Sequence, residues 1–249
     1  MLHYQWNWAI IFEQVPGTEE YYYQWLIKGL ELTVATALSA WVIALVLGAL
    51  IGIARTVPSK WLSTLATAYV ELFRNIPLLA QLFFWFFVLP ELLPQAAGDW
   101  MKQSMPYPEF ITGVFGLGLF TAARVAEQVR TGILALPRGQ KNAGLAMGFS
   151  LGQTYRHVLL PMAFRIVIPP LTSEFMNMFK NSAVCYGIGL TELYFQLRQI
   201  TGDYAPGNII EVTGYVTLIY LTMALIVNRS MAWVERKVAV PGTIGGARK

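Results

Sequence analysis

Charge is what this chain has least of. Asp, Glu, Lys and Arg make up 13% of its 249 residues against 55% hydrophobic, and the mean hydropathy is +0.48, which excludes an ordinary soluble domain. Cysteine is reduced to Cys185, so there is no internal disulfide, and that residue reads as a small apolar filler. Histidine is reduced to His3 and His157, far apart, so no metal site is expected. The first 26 residues hold no Lys or Arg and no continuous apolar core, so no cleavable signal peptide is expected and the first spanning helix serves as its own insertion signal. A Gly-x-x-x-x-Gly-Lys-Ser/Thr loop is missing, which excludes the usual cradle for nucleotide phosphates. No internal repeat is evident, which counts against an ion-driven secondary transporter built from paired broken helices.

What is there is long apolar sequence. The run Leu32 to Ala54 carries no charge and exceeds the roughly 20 residues that cross a hydrocarbon core as a helix. Val212 to Val227 is nearly as long. Three more segments reach spanning length if internal charge is tolerated: 63–90 with Glu71 and Arg74, 111–134 with Arg124, Glu127 and Arg130, and 161–187 with Glu174 and Lys180. The reading is an all-α integral membrane protein of five transmembrane helices, at about 29–54, 63–90, 111–134, 161–187 and 208–233. The spanning domain is 28–234, flanked by an extracytoplasmic segment 1–27 and a cytoplasmic tail 235–249.

Five helices put the termini on opposite sides, and the Lys/Arg tally of the loops chooses between them. One side holds Arg55, Lys60, Arg138, Lys141, Arg156, Arg165 and the four basic residues from Arg236 onward, with Arg229; the other holds Lys102 and Arg198 among many carboxylates. The N-terminus is therefore expected outside and the C-terminus in the cytoplasm. The positive residues sort by membrane side and show no aromatic interleaving, so no nucleic-acid partner is expected.

The loop 135–160 is the least passive of these connectors. Leu136 to Pro161 carries four Lys/Arg/His residues and no Asp or Glu. It reads as a short helix over 139–149 ended near Gly148, then a second helix from an N-cap at Ser150 towards Pro161. A basic helix, glycine corner and helix facing the cytosol make a docking element for a soluble partner.

"GQKNAGLAMGFSLGQTYRHVLLP" resembles the cytoplasmic signature of ABC-importer permeases, in which Glu-Ala-Ala is followed after three residues by glycine and later by Leu-Pro. Gly148 and Leu160-Pro161 match, while Asn142-Ala143-Gly144 replaces the triplet. "VELFRNIPLLAQLFFWF", "GLFTAARVAEQVRTGILALPRGQ", "PPLTSEFMNMFKNSAV" and "VERKVAVPG" resemble the polar amino acid branch, closest to its glutamate/aspartate permeases, over residues 22–242. The resemblance implies a type I ABC-importer permease of the bacterial inner membrane. It implies no cofactor of its own, ATP and magnesium being held by partner ATPase subunits that dock on Asn142, Ala143, Gly144 and Gly148. A second related permease and an extracytoplasmic solute-binding protein are the other implied partners, and the implied role is non-catalytic. Alternatives are a permease for other polar amino acids, a secondary transporter, or a membrane scaffold.

Charges within the bilayer are costly and are paired, at an edge, or on a polar path. Arg124 falls near the middle of its helix, where a guanidinium suits a substrate carboxylate. The competing reading is an ion pair with Glu127, three residues on. Lys180 is the second substrate-contact candidate; it is six residues from Glu174, so the two cannot pair within one helix. Glu71 and Arg74 read as a local pair ahead of a kink at Pro77. The run Phe83 to Phe87 reads as an interfacial belt.

Overall fold

The computed structural model describes residues 4–238. In chain order the helices are α1 (Tyr22–Ala54), α2 (Lys60–Asn75), α3 (Leu78–Leu92), α4 (Gln95–Asp99), α5 (Pro108–Leu134), α6 (Arg138–Ala146), α7 (Leu151–Ile188), α8 (Leu193–Gln199) and α9 (Pro206–Val238). Among the described residues there is no β-strand beyond an isolated bridge between Gln14 and Tyr21. Helices α1, α5, α7 and α9 are each long and apolar enough to cross a membrane, and α2 with α3 makes a fifth, sharply bent span. The bend has a local cause. Pro77 lacks an N–H and disfavours helical geometry in the residue before it, and Ile76 is extended, with φ −97° and ψ 130°. The expected kink is thus a full break.

Other prolines are absorbed differently. π-helical turns at Phe84–Val88, Trp100–Ser104, Tyr155–Leu159 and Ile200–Tyr204 each end two residues before a proline, at 90, 106, 161 and 206. In each, the residue before the proline donates to the carbonyl five back, as from Leu160 to Tyr155. The wider turn relieves the clash between the ring and the carbonyl four residues earlier. This is why α7 starts at Leu151, capped by Ser150, and runs through Pro161 instead of starting there.

The chain divides into two compact units. The first comprises Met1–Ala40, Leu78–Leu117 and Met178–Ile226. Its core is formed by Ile10, Val15, Tyr22, Leu26, Leu193, Ile200, Val212 and Val216. The N-terminal segment is folded onto this core. Tyr4 Oη donates to Glu211, the Asn7 N–H donates to the same carboxylate at 2.7 Å, and Tyr215 Oη donates to the Trp8 carbonyl at 2.6 Å. α1 begins seven residues earlier than hydropathy indicates, and Lys28 is neutralised by Glu20 at 2.5 Å, which holds the Glu20 carboxyl below the usual carboxylate range. Glu192 is fully buried and caps α8 by accepting from the Phe195 N–H at 2.8 Å. It also accepts from Tyr220 Oη at 3.2 Å, and burial pushes its carboxyl above the usual range. Cys185 is buried and unpaired, packed beside Gly113 as a filler. Phe83, Phe84 and Phe87 are exposed, and Trp85 and Phe86 are half-buried.

The second unit comprises Trp41–Pro77, Gly118–Asn177 and Val227–Lys249. Here α1 and α5 approach closely. A Cβ on Gly48 would stand 2.6 Å from the Val125 side chain, and one on Gly52 would stand 2.6 Å from the Ala126 carbonyl oxygen. With Ala44, these make a small-residue stripe of the kind that lets membrane helices pack backbone to backbone. Val70 of α2 packs on Ala123 and Ala126 of α5, and Tyr69 Oη donates to the Leu119 carbonyl at 2.7 Å.

Candidate functional site

Two ionic clusters lie in the second unit. In the first, Arg124 of α5 reaches Glu174 of α7 through two parallel bonds, Nε to Oε2 at 2.7 Å and Nη2 to Oε1 at 3.2 Å. The carboxylate side chain is 8% exposed and the arginine 40% exposed, so the pair has a buried acidic end and an open basic end. Nη1 finds no protein acceptor among the described residues.

The second cluster is centred on Glu127. Arg130 donates from Nη2 at 2.5 Å and Nε at 3.2 Å, and Arg55, in the turn just past α1, donates through Nη1. Arg55 Nε also reaches Thr67 Oγ1 of α2 at 3.3 Å. One carboxylate thus ties three helices. The competing pairing of Arg124 with Glu127 is corrected: the i, i+3 spacing permits it, as it does for Glu127 with Arg130, but Arg124 is taken by Glu174 of α7 and Glu127 by Arg130 and Arg55. The expected Glu71–Arg74 pair is also absent; Asn75 Nδ2 binds Glu71 instead, at 3.2 Å to the carboxylate. Lys180 is exposed, belongs to the first unit and forms no ion pair among the described residues. The structure therefore brings Arg124 together with Glu174, and assigns Arg124 and Lys180 to different units.

The docking element is α6 with the start of α7. α6 stops in a Schellman arrangement: the Gly148 N–H donates to the Leu145 carbonyl at 3.0 Å and the Phe149 N–H to Gly144 at 3.1 Å. This requires Gly148 to be left-handed, at φ +87°. Ser150 then opens the next helix through a reciprocal capping box with Gln153. The two helices are pressed together at Gly144, where a Cβ would lie 2.9 Å from Thr154 Cγ2. Glycine in place of the last alanine of the triplet has this physical reason. Tyr155 Oη anchors the corner by donating to the Thr56 carbonyl at 2.8 Å. Leu145, Met147 and Phe149 are exposed along the corner, as are Asn142 and Ala143.

Thr154, Tyr155, Arg55 and Glu174 have no sequence signature for these roles. Each acts on a partner distant in the chain, and the sole hint was one unmatched acid and one unmatched base on separate apolar spans.

Such a chain, helical throughout, with four continuous spans, a fifth broken at a proline and a capped helix pair between two of them, is an integral membrane protein of type I ABC-importer permease architecture. It belongs to the family of binding-protein-dependent transport system inner membrane components, which matches residues 26–240. The glutamate/aspartate import permease protein GltJ of Escherichia coli K12 is 47% identical over 97% of this chain and 98% of its own length. The glutamate/aspartate import permease protein GltK of Escherichia coli O6:H1 is 26% identical over 95% of this chain and all of its own. Among solved structures, an amino acid ABC transporter crystallised with histidines superposes with a TM-score of 0.72 at 29% identity, covering 87% of this chain and 95% of that one.

Proposed function

We propose that this chain is the membrane permease subunit of an ATP-driven importer for glutamate and aspartate. The near full-length identity to a glutamate/aspartate import permease carries the reading. In it, Arg124 presents its guanidinium to a carboxylate of the substrate. The chain has no phosphate-binding loop, so hydrolysis belongs to separate ATPase subunits that hold ATP and magnesium. These dock on the corner formed by Asn142, Ala143, Gly144 and Gly148, where exposed Leu145, Met147 and Phe149 supply apolar contact. Five spans are too few to enclose a path, so a second permease completes it. That GltJ-type and GltK-type glutamate/aspartate permeases both resemble this chain supports a related but different partner. An extracytoplasmic solute-binding protein delivers the amino acid.

The test is reconstitution of the chain with these partners in vesicles. Uptake of labelled glutamate should require ATP and the binding protein, and excess aspartate should abolish it while histidine leaves it unchanged. Uptake driven by an ion gradient without ATP would overturn the reading.

The orientation follows from charge. Arg55, Lys60, Arg138 and Lys141 stand on or at the ends of the connectors of the second unit, against Lys102 and Arg198 in those of the first, which supports the second unit's loops being cytoplasmic, with the N-terminus outside. The proposed cytoplasmic tail, 235–249, lies outside the described residues beyond Val238. In a Cys185→Ala background, Gly139→Cys should react with a membrane-impermeant thiol reagent from the cytoplasmic side alone, and Ala97→Cys from the outer side alone. Both positions are exposed, and Gly139 has open space where a Cβ would go. Reversed labelling would refute the orientation.

A further inference from the structure

We infer that Glu174 is the second half of the substrate site: the Arg124–Glu174 pair opens to admit an amino acid as a zwitterion, with a carboxylate on Arg124 and the ammonium group on Glu174. The inference rests on the reading that Arg124 contacts substrate. It begins from the asymmetry of the pair. Arg124 is 40% exposed and Glu174 only 8%, yet the two are joined side-on by two bonds of 2.7 and 3.2 Å. A substrate carboxylate that takes the side-on fork of Arg124, Nε with Nη2, competes for the donors that Glu174 now occupies. If it displaced Glu174 and brought nothing else, a buried carboxylate would be left without a cation, the costly outcome of breaking such a pair from one side.

The other ionic cluster of the second unit does not take over. Its arginines, Arg130 of α5 and Arg55 just past α1, are both committed to Glu127. Thr172, two residues before Glu174 and so turned to the other side of α7, is bonded to Glu235 at 2.6 Å and to the Ile168 carbonyl at 3.2 Å. A replacement cation that arrives with the ligand solves this. An amino acid carries one: its ammonium group can take Glu174 as its carboxylate takes Arg124, so each buried charge exchanges one partner for another. The empty pair is then a stand-in for the ligand. It keeps both groups satisfied between transport events, and it makes the α-amino group a condition of binding.

The consequence is selectivity against dicarboxylates that lack nitrogen. Glutarate has the carboxylates of glutamate and no ammonium group, so it can satisfy Arg124 only by stranding Glu174. Binding of glutamate and of glutarate should be titrated calorimetrically on the purified importer complex without its solute-binding protein. The intact complex should prefer glutamate by about ten- to a hundredfold, the range of one charge-assisted contact. Glu174→Gln should collapse that preference, and Glu174→Asp should retain it. Equal affinity of the unmodified complex for both ligands would overturn the inference with no variant needed. So would a Glu174→Gln complex that keeps the preference while Arg124→Gln loses glutamate binding, because Glu174 would then be a structural partner only. If Arg124→Gln binds glutamate normally, the reading of Arg124 itself fails.

Discussion

Arg124→Gln is expected to lower glutamate uptake by about ten- to a hundredfold per assembled complex, the worth of one charge-assisted contact. Glutamine keeps hydrogen-bonding capacity and loses the charge. The substitution also leaves Glu174, 8% exposed, without its two guanidinium bonds, so assembly is expected to suffer as well. The double variant Arg124→Gln with Glu174→Gln separates these effects. It removes the stranded charge and should recover assembly with the ATPase, but not uptake. Arg124→Lys should rescue in part, because an ammonium cannot make the side-on double contact. The measurement is uptake of labelled glutamate normalised to assembled complex, with glutamine as a competitor that should gain ground in Arg124→Gln. Full uptake by Arg124→Gln, or recovery of uptake in the double variant, would decide against a substrate role and leave a structural ion pair.

Gly148→Val is expected to abolish most ATP-driven uptake, by about tenfold or more, while the solute-binding protein continues to bind its amino acid. The reason is confined to the backbone. Gly148 is at φ +87° and no atom stands within 4 Å of the place its Cβ would occupy, so no neighbour is struck. The left-handed conformation alone costs an L-residue roughly 1–2 kcal/mol, and a β-branched one tolerates it poorly. Relieving that strain means unmaking the bonds from Gly148 to Leu145 and from Phe149 to Gly144, which set the angle between α6 and α7. Gly148→Asn is the discriminating control, since asparagine is the common alternative in this position and should preserve coupling. Hydrolysis and uptake measured together, with ATPase association by co-purification, test it. Normal coupling in Gly148→Val would remove the corner from the mechanism, and equal damage in Gly148→Asn would point to lost space instead of lost conformation.

Hydrophobic length was legible in the sequence because it is a local sum. Spans are found by counting apolar residues against the thickness of a bilayer, and four of five were found, although α1 and α7 begin well before the expected residues 29 and 161, at Tyr22 and Leu151. The corner at Gly148 and the cap at Ser150 were legible for a related reason: helix stops and starts are written in two or three adjacent residues. Prolines announced irregularity, but the sequence could not say which kind. Pro77 breaks its helix, whereas Pro161 is absorbed by a π-helical turn, and the difference depends on what packs around each.

The ion pairs between helices were decided by tertiary structure alone. Arg124 has a carboxylate three residues away and takes one fifty residues away; Glu127 in turn takes Arg55, seventy-two residues back, together with Arg130. Sequence spacing shows which side chains share a helix face, not which helix that face will meet. The same holds for the N-terminal segment, read as a flank and found folded on α8 and α9 through the buried carboxylate of Glu211. A lone charge on an apolar span shows that a partner must exist, because the cost of leaving it unpaired is too high. The identity of that partner depends on the packing of α1 against α5 and the positioning of α7, and no local pattern encodes it.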